Sequence, residues 1–228
     1  MKLKVFSVLG VLAIALTVLF WGFNANAKSL AFEESFFARA TEVVSQTEDM
    51  SGMYGLDKAH SAVGFKVKHM GLVDVPGYFR DFKGTVNYNA KDMTKSMVEF
   101  TAQVTSIDTG IKGRDDHLRS KDFFEVEKFP EMMFKSTKVA KKGKQWLVTG
   151  DLTMKGVTKT LTFPFNVVGF AKDQRGNTKM GVTAETVINR RDFSVNYGNN
   201  LPSGVPVLSD NITVVLQLEC NLTPPAAK

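Results

Sequence analysis

Cysteine is nearly absent from this chain, because Cys220 is the single one in 228 residues. No intramolecular disulfide can form, so a folded domain must be stable through its hydrophobic core alone. Cys220 stands at the end of an alternating segment, which predicts a packed thiol. A reactive thiol is the alternative, but neither a base nor a second cysteine stands beside it in the sequence.

The sequence also lacks a clustered basic arm. Its formal net charge is +6, and its lysines and arginines are scattered along the chain. Lys2 and Lys4 are the only charged residues before residue 28, so removing that segment subtracts two and leaves +4. This mild excess argues against nucleic acid as a partner, and it is compatible with transient contact with anionic lipid head groups.

The N-terminus has the pattern of an export signal. Lys2 and Lys4 precede an uncharged apolar run over residues 5–23, and Ala25-Asn26-Ala27 has the small-x-small form of a cleavage site. We therefore expect residues 1–27 to be removed and the protein to be periplasmic. The apolar run approaches the length that spans a bilayer, so an uncleaved N-terminal anchor is the alternative.

Residues 28–53 are predicted to contain a short amphipathic helix or spacer. Apolar residues from Leu30 to Val44 recur at near-helical spacing among glutamates. The acidic polar face argues against binding to an anionic membrane surface, where lysine and arginine would be expected. A helix that packs on the following domain, or a spacer toward a membrane anchor, fits the pattern better.

From Tyr54 to Leu222 the apolar pattern changes to a period of two, which is typical of strands with one buried face. About eight such segments occur, and their spacing predicts an all-β, antiparallel barrel or sandwich followed by a tail at residues 223–228. Eighteen phenylalanines and ten methionines are many for this length. About eight strands is also the barrel size that can hold one small molecule, but the inward side chains of such a barrel can instead pack against each other and fill it, and the alternation is the same in both cases.

A polar segment from Ser106 to Phe124 interrupts this alternation and is longer than a hairpin loop requires. Arg114 and His117 stand three residues apart, so one helical turn would place a guanidinium and an imidazole on one face. One interpretation of this segment is a polar rim that meets a ligand. The alternative is a surface loop whose charges pair with one another and with backbone.

Several separated motifs give the chain its resemblance to a known family. They are His60-Ser61, Gly77-x-Phe79-x-x-Phe82-x-Gly84, Phe129-Pro130, Gly150-x-Leu152-Thr153-x-Lys155-Gly156-Val157 and Asn189-Arg190-x-Asp192-Phe193. With these motifs in order over residues 54–222, the chain resembles the YceI-like family of lipocalin-like polyisoprenoid-binding proteins. The resemblance implies an eight-stranded antiparallel barrel with an apolar interior that encloses an isoprenoid lipid such as a quinone or a polyprenyl phosphate.

An isoprenoid tail needs an apolar enclosure, whereas its head group needs hydrogen-bond donors at the mouth. No cofactor is required, no catalytic residue is assigned, and a homodimer is compatible with this reading. The predicted head-group rim consists of His60, His69, Asp108, Arg114, Asp115 and His117. The predicted apolar passage consists of Phe65, Phe79, Phe82, Leu118, Phe124 and Phe134.

Rival functions use the same residues. His60, His69 and His117, with Asp108 or Asp115, could ligate zinc in a metal-dependent or isoprenoid-modifying enzyme, although their spacing matches no compact metal motif. A serine hydrolase would use Ser61 or Ser106 with His117 and Asp115, but the sequence has no Gly-x-Ser-x-Gly elbow and no other sign of an activated nucleophile. A third hypothesis is a membrane-tethered accessory module that retains residues 5–23.

The segment from Asn189 to Val195 departs from the family pattern at one position. Glycine commonly follows the aromatic residue in the family, and Ser194 stands there in this chain. If the family glycine adopts an unusual dihedral angle, the local turn is altered. Arg190 and Asp192 are interpreted as a salt bridge that closes the end of the barrel.

Overall fold

The computed structural model describes residues 49–224. The predicted signal segment and the helix predicted between Leu30 and Val44 lie outside this range. Within it, the strands are β1 (Gly52–Leu56), β2 (Ala62–His69), β3 (Val73–Phe79), β4 (Phe82–Tyr88), β5 (Met97–Gln103), β6 (Ile107–Asp108), β7 (Glu131–Lys142), β8 (Gln145–Met154), β9 (Val157–Lys172), β10 (Thr178–Asn189) and β11 (Leu208–Leu222).

One α-helix, α1 (Lys112–Arg119), occurs in residues 49–224. Short 3-10 turns span Lys58–His60, Met93–Lys95, Val104–Ser106 and Arg190–Phe193. No helix in this range has the length and apolar character needed to cross a membrane.

The strands close into an eight-stranded antiparallel barrel. Its order is β1-β4-β5-β7-β8-β9-β10-β11, and β11 pairs back with β1 to complete the circle. The all-β, antiparallel fold predicted from the alternation is therefore confirmed, and of the barrel and the sandwich that the alternation left open, the structure forms the barrel that the family resemblance implies. Strand β1 begins at Gly52, two residues before the expected start of the domain, because Gly52 and Met53 pair with β4.

The long strand β11 pairs with two shorter strands, β1 and β2, along different parts of its length. Its second half pairs with β1 from Leu56↔Cys220 to Tyr54↔Leu222, and its first half pairs with β2 from Gln217↔Ala62 to Leu208↔His69. Beyond β2 the sheet continues through β3 to β6. One end of the barrel is thus formed by the β2–β3 hairpin, α1 and the segment that joins β10 to β11.

Inward-facing side chains form the core because the strand alternation places every second residue on the same face. Val63, Phe79, Met132 and Phe193 belong to the largest buried cluster. The glycine of the Gly77-x-Phe79 motif has a steric role, since a Cβ atom on Gly77 would lie 2.2 Å from Cζ of Phe65. Gly77 therefore leaves room for an aromatic ring inside the barrel.

Candidate ligand-binding site

The barrel encloses an elongated cavity of about 540 Å³, within the range of roughly 300–1,000 Å³ that is typical of small-molecule pockets. Most of the residues that line it are phenylalanine, valine, leucine, isoleucine and methionine. Its polar lining is concentrated at the barrel end formed by α1 and the β10–β11 segment. We call this the polar end, and it comprises His69, Thr109, Arg114, His117, Arg190 and Tyr197.

Arg114 is held in place at the polar end by the loop before α1. Its Nε donates to Oγ1 of Thr109 at 2.7 Å, and its Nη2 donates to the Thr109 carbonyl at 2.8 Å. The buried carboxylate of Asp115 in turn accepts from both the backbone N–H and the hydroxyl of Thr109. Nη1 of Arg114 has no hydrogen-bond partner within residues 49–224, so this cavity-lining guanidinium keeps donors for a ligand.

His117 links α1 to the β10–β11 segment through aromatic contacts. Its ring lies edge-on to Tyr197 at 4.8 Å and to Phe123 at 5.1 Å, measured between ring centroids. Its Nε2 lies 3.0 Å from Oδ2 of Asp122, which orients the imidazole. Because Tyr197 lines the cavity and is 44% exposed, the cavity reaches the surface beside this cluster.

Arg190 is buried at the polar end, and its hydrogen bonds all go to the protein. It donates to the backbone carbonyls of Val195, Tyr197 and Ser209, and its Nη2 lies 2.8 Å from Oδ1 of Asp210. A further contact with the Leu208 carbonyl is at 3.5 Å, which accounts for all five guanidinium N–H groups. Burial lowers the pKa of Arg190, and the nearby carboxylate of Asp210 opposes that shift.

The predicted salt bridge between Arg190 and Asp192 is wrong, because Arg190 pairs with a different carboxylate. The carboxylate that Arg190 meets is Asp210, which lies twenty residues away on β11. Asp192 instead lies in the first turn of the short helix Arg190–Phe193. Ser194, where the family commonly has glycine, adopts the left-handed conformation with φ of 60° and ψ of 23°.

Three residues of the predicted rim and five of the predicted passage line the cavity. The rim residues are His69, Arg114 and His117; the passage residues are Phe65, Phe79, Leu118, Phe124 and Phe134. Helix α1 brings Arg114 and His117 together, as their spacing predicts. Contact of these side chains with a ligand stays a prediction.

The other predicted site residues lie elsewhere. His60 is on the outer surface beside Asp57, and Asp108 makes an ion pair with Arg80 at 2.9 Å. That pairing with Arg80 holds the pKa of Asp108 below its usual range. Asp115 is buried behind Thr109 and positions the loop, while Phe82 packs against Phe100 in the core. These four residues were predicted as site residues because they lie in loops or on inward faces of strands. Such a position does not reveal which side chains they contact in the folded protein.

The three histidines do not converge on a metal site within the described chain. The group there whose donor atoms are close enough for a metal ion is Asp57, His60 and Glu219, which contains one histidine. The ammonium of Lys179 lies 3.2 Å from a carboxylate oxygen of each acid, so a cation of the protein already occupies that position. Hydrogen bonds from His60, then Lys179 and the Ala59 N–H, lower the pKa of Asp57.

Sequence reasoning missed Thr109 and Tyr197 as cavity residues, and it assigned Arg190 no place in the cavity wall. Thr109 precedes α1 and holds Arg114, and Tyr197 follows a left-handed turn after β10. Neither residue lies in a periodic segment, so alternation carries no signal for it. The surplus of polar residues around Arg114 was the available clue to Thr109.

Comparisons with known proteins agree on one family. The YceI-like domain model matches residues 54–220. The YceI protein of Escherichia coli O157:H7 is 39% identical over 144 residues, which cover 62% of this chain and 75% of that protein. A UPF0312 protein of Photorhabdus laumondii is 39% identical over 135 residues, or 59% of this chain and 70% of the relative.

Solved structures show the same barrel. BcnA of Burkholderia cenocepacia is 26% identical with a TM-score of 0.62, covering 72% of this chain and 98% of that one. The YceI protein of Campylobacter jejuni is 32% identical with a TM-score of 0.58, covering 74% and 96%. A polyisoprenoid binding domain from Saccharophagus degradans, 17% identical with a TM-score of 0.57, covers 75% and 98% and shares the fold.

Proposed function

Because this chain belongs to the YceI-like family, whose model covers residues 54–220, we propose that its barrel encloses a long isoprenoid lipid for transport or storage. The observation that carries this proposal is the elongated apolar cavity with most of its polar lining residues at one end. The Saccharophagus degradans domain of the same fold, described as polyisoprenoid binding, supports the choice of ligand class.

The apolar part of the cavity suits an isoprenoid tail. Such a tail forms no hydrogen bonds, and each methylene-sized unit removed from water contributes roughly 0.8 kcal/mol. Methionines such as Met93, Met132 and Met154 line the wall, and their flexible side chains adjust to an irregular hydrocarbon.

The polar end suits the head group. Arg114 lines the cavity and keeps unused N–H donors, whereas all the donors of Arg190 are engaged with the protein. A quinone carbonyl or a phosphate oxygen would accept from Arg114, with His117 beside it as a second contact. Arg190 then shapes the wall without binding the head group.

This proposal describes a periplasmic carrier or store with no catalytic step. Isoprenoid lipids reside in membranes, so a carrier would shield the tail from water between two bilayers or hold it in reserve. Tail enclosure and head-group hydrogen bonds need no activated nucleophile, cofactor or metal ion.

Native mass spectrometry with organic extraction tests the proposal, using the chain from Lys28 onward purified from its own host without added lipid. We expect a co-purified species with an isoprenoid mass at one molecule per barrel. A protein that binds neither an endogenous isoprenoid nor added polyprenyl quinone, and that instead carries stoichiometric zinc, would overturn the carrier reading in favour of a metal-dependent enzyme.

A cavity-filling substitution tests where the tail lies. Ala184 lines the cavity on β10, so Ala184→Phe should sharply reduce binding of a polyprenyl quinone. The same change at exposed Ala171 on β9 is the matched control and should leave binding unchanged. Equal affinities of the two variants would place the tail outside this cavity.

A pair of arginine variants tests where the head group lies. Arg114→Met should weaken the binding of a polyprenyl phosphate more than the binding of a polyprenyl quinone of equal tail length. The reason is that a phosphate is negatively charged and forms stronger hydrogen bonds with a guanidinium. Arg119→Met on the same helix is the control, since Arg119 donates to backbone carbonyls of Thr105 and Ile107 and does not line the cavity. An equal loss in both variants would contradict the assignment of Arg114.

A further inference from the structure

Exposed apolar side chains gather beside the polar end of the cavity. Leu72 is 76% exposed and Val73 is 59% exposed, and both lie at the tip of the β2–β3 hairpin. Val205, in the segment before β11, is also exposed. Exposed apolar clusters of this kind commonly mark interaction sites.

Val73 faces inward but remains open to solvent. It pairs with His69 across the hairpin, and directly paired residues project from the same face of a sheet. The side chain of His69 lines the cavity. Val73 therefore extends the inward-facing surface beyond His69, from the cavity to the outside of the barrel.

The segment over residues 199–207 lies against the same hairpin tip. The N–H of Met70 donates to the Val207 carbonyl at 2.9 Å, and Val207 lines the cavity. A Cβ atom on Gly71 would stand 3.4 Å from Cγ1 of Val205, so the Val205 side chain packs on the turn. Leu72, Val73 and Val205 thus form one surface, which we call the apolar rim.

The two charged residues that flank the hairpin tip on β2 and β3 are paired with each other. Lys68 and Asp74 face each other across β2 and β3, with Nζ and Oδ1 2.9 Å apart. The hairpin tip from His69 to Val73 carries no lysine, arginine or acidic residue. Inserting this tip into a nonpolar medium would leave no isolated charge without a partner.

We propose that the apolar rim docks on a lipid bilayer, so that an isoprenoid passes between membrane and cavity beside α1. This inference rests on the proposed function, because a ligand that resides in the bilayer is the reason for an apolar path leading out of the cavity. The bilayer is the occupant that the geometry favours, since the rim is continuous with a lining suited to hydrocarbon and has little net charge at its tip.

Vesicle binding tests the docking step directly. The chain from Lys28 onward is mixed with neutral phosphatidylcholine vesicles, and the bound fraction is measured by flotation at low and high salt. The double variant Leu72→Ser, Val73→Thr should bind at least about tenfold more weakly than the unmodified chain, because two apolar side chains lose their burial in lipid. Binding of the unmodified chain should persist at high salt, since the contact is apolar.

A matched control uses exposed apolar residues at the other end of the barrel. Met53 on β1 and Val168 on β9 are both exposed, and Met53→Ser, Val168→Thr should bind vesicles like the unmodified chain. All three proteins are first compared by urea unfolding. If either double variant is destabilised, Val205→Ser alone tests the same rim from the neighbouring segment.

Three results would overturn the proposal: equal binding by the rim variant and the control, loss of all vesicle binding at high salt, or a rim-dependent dimer that does not bind vesicles. Delivery of the ligand separates this inference from the proposed function. A polyprenyl quinone supplied from a water-soluble cyclodextrin complex should load the rim variant normally, while loading from quinone-containing vesicles should slow at least about tenfold. Failure of the unmodified chain to load from cyclodextrin would refute the proposed function itself.

Discussion

Arg190 and Arg191 offer a direct comparison between a buried and an exposed ion pair. Both guanidinium groups approach Oδ1 of Asp210, at 2.8 and 2.7 Å. The side chain of Arg190 is 6% exposed and that of Arg191 is 42% exposed. Replacing each one with methionine removes the same charge next to the same carboxylate.

The expected loss of stability differs between the two variants, because the two arginines have different hydrogen-bond partners besides Asp210. Arg190→Met leaves the carbonyls of Val195, Tyr197 and Ser209 without their donor, and each charge-assisted bond is worth about 1.5–3 kcal/mol. Asp210 keeps Arg191, which limits the loss. We therefore expect Arg190→Met to lower the free energy of unfolding by about 3–5 kcal/mol, and Arg191→Met by less than about 1 kcal/mol.

Urea unfolding followed by far-UV circular dichroism measures both values. If the slope of the unfolding free energy against urea concentration is unchanged, the variants expose the same surface on unfolding and the difference is one of stability. A loss below about 1 kcal/mol for Arg190→Met, or equal losses for the two variants, would refute the assignment of Arg190 as a buried residue whose hydrogen bonds to the protein stabilise the fold.

Three further predictions concern stability and reactivity. Hydrogen bonds from His60 and Lys179 lower the pKa of Asp57, so its carboxylate stabilises the fold above the ordinary pKa near 4, and this stabilisation is lost as the pH falls below that value. Asp57→Asn should therefore have a lower free energy of unfolding than the unmodified chain at pH 7, and the difference between the two proteins should narrow in acid. A difference that stays constant with pH in urea titrations would contradict this. Burial raises the pKa of Cys220 to about 11, so a thiol reagent should label the native protein far more slowly than the urea-unfolded chain, and rapid native labelling would show that the thiol is accessible. Ser194→Gly should raise the free energy of unfolding by about 0.5–1 kcal/mol, because φ of 60° strains serine by more than glycine costs in chain entropy; a loss of stability in thermal unfolding would be the opposite result.

Local pattern was sufficient to predict most of the long strands and the shared face of two site residues. The alternation Val63, Phe65, Val67 places all three side chains on the cavity side of β2. The three-residue spacing of Arg114 and His117 predicts a shared face, and α1 provides it. Both results depend on how often side chains return to the same face of a strand or a helix. This period is a local property of the backbone, so residues close in the sequence are enough to show it.

Local pattern was insufficient wherever a side chain's partner comes from a distant segment. His60 and His117 are equally polar in the sequence, yet His60 meets Asp57 on the surface while His117 meets Tyr197 at the cavity. Phe82 and Phe79 stand three residues apart, and only Phe79 lines the cavity.

The sequence by itself determined the all-β class, the inward apolar stripe and the family, because alternation and motif order are properties of the linear chain. Only the tertiary structure decided that Arg190 pairs with Asp210 and that Arg114 lines the cavity with part of its guanidinium unpaired. The pairing of β10 with β11 ends at Asn189↔Asn211 and so places Arg190 beside Asp210. Hydrogen bonding and burial depend on these three-dimensional neighbours, which a periodic pattern does not encode.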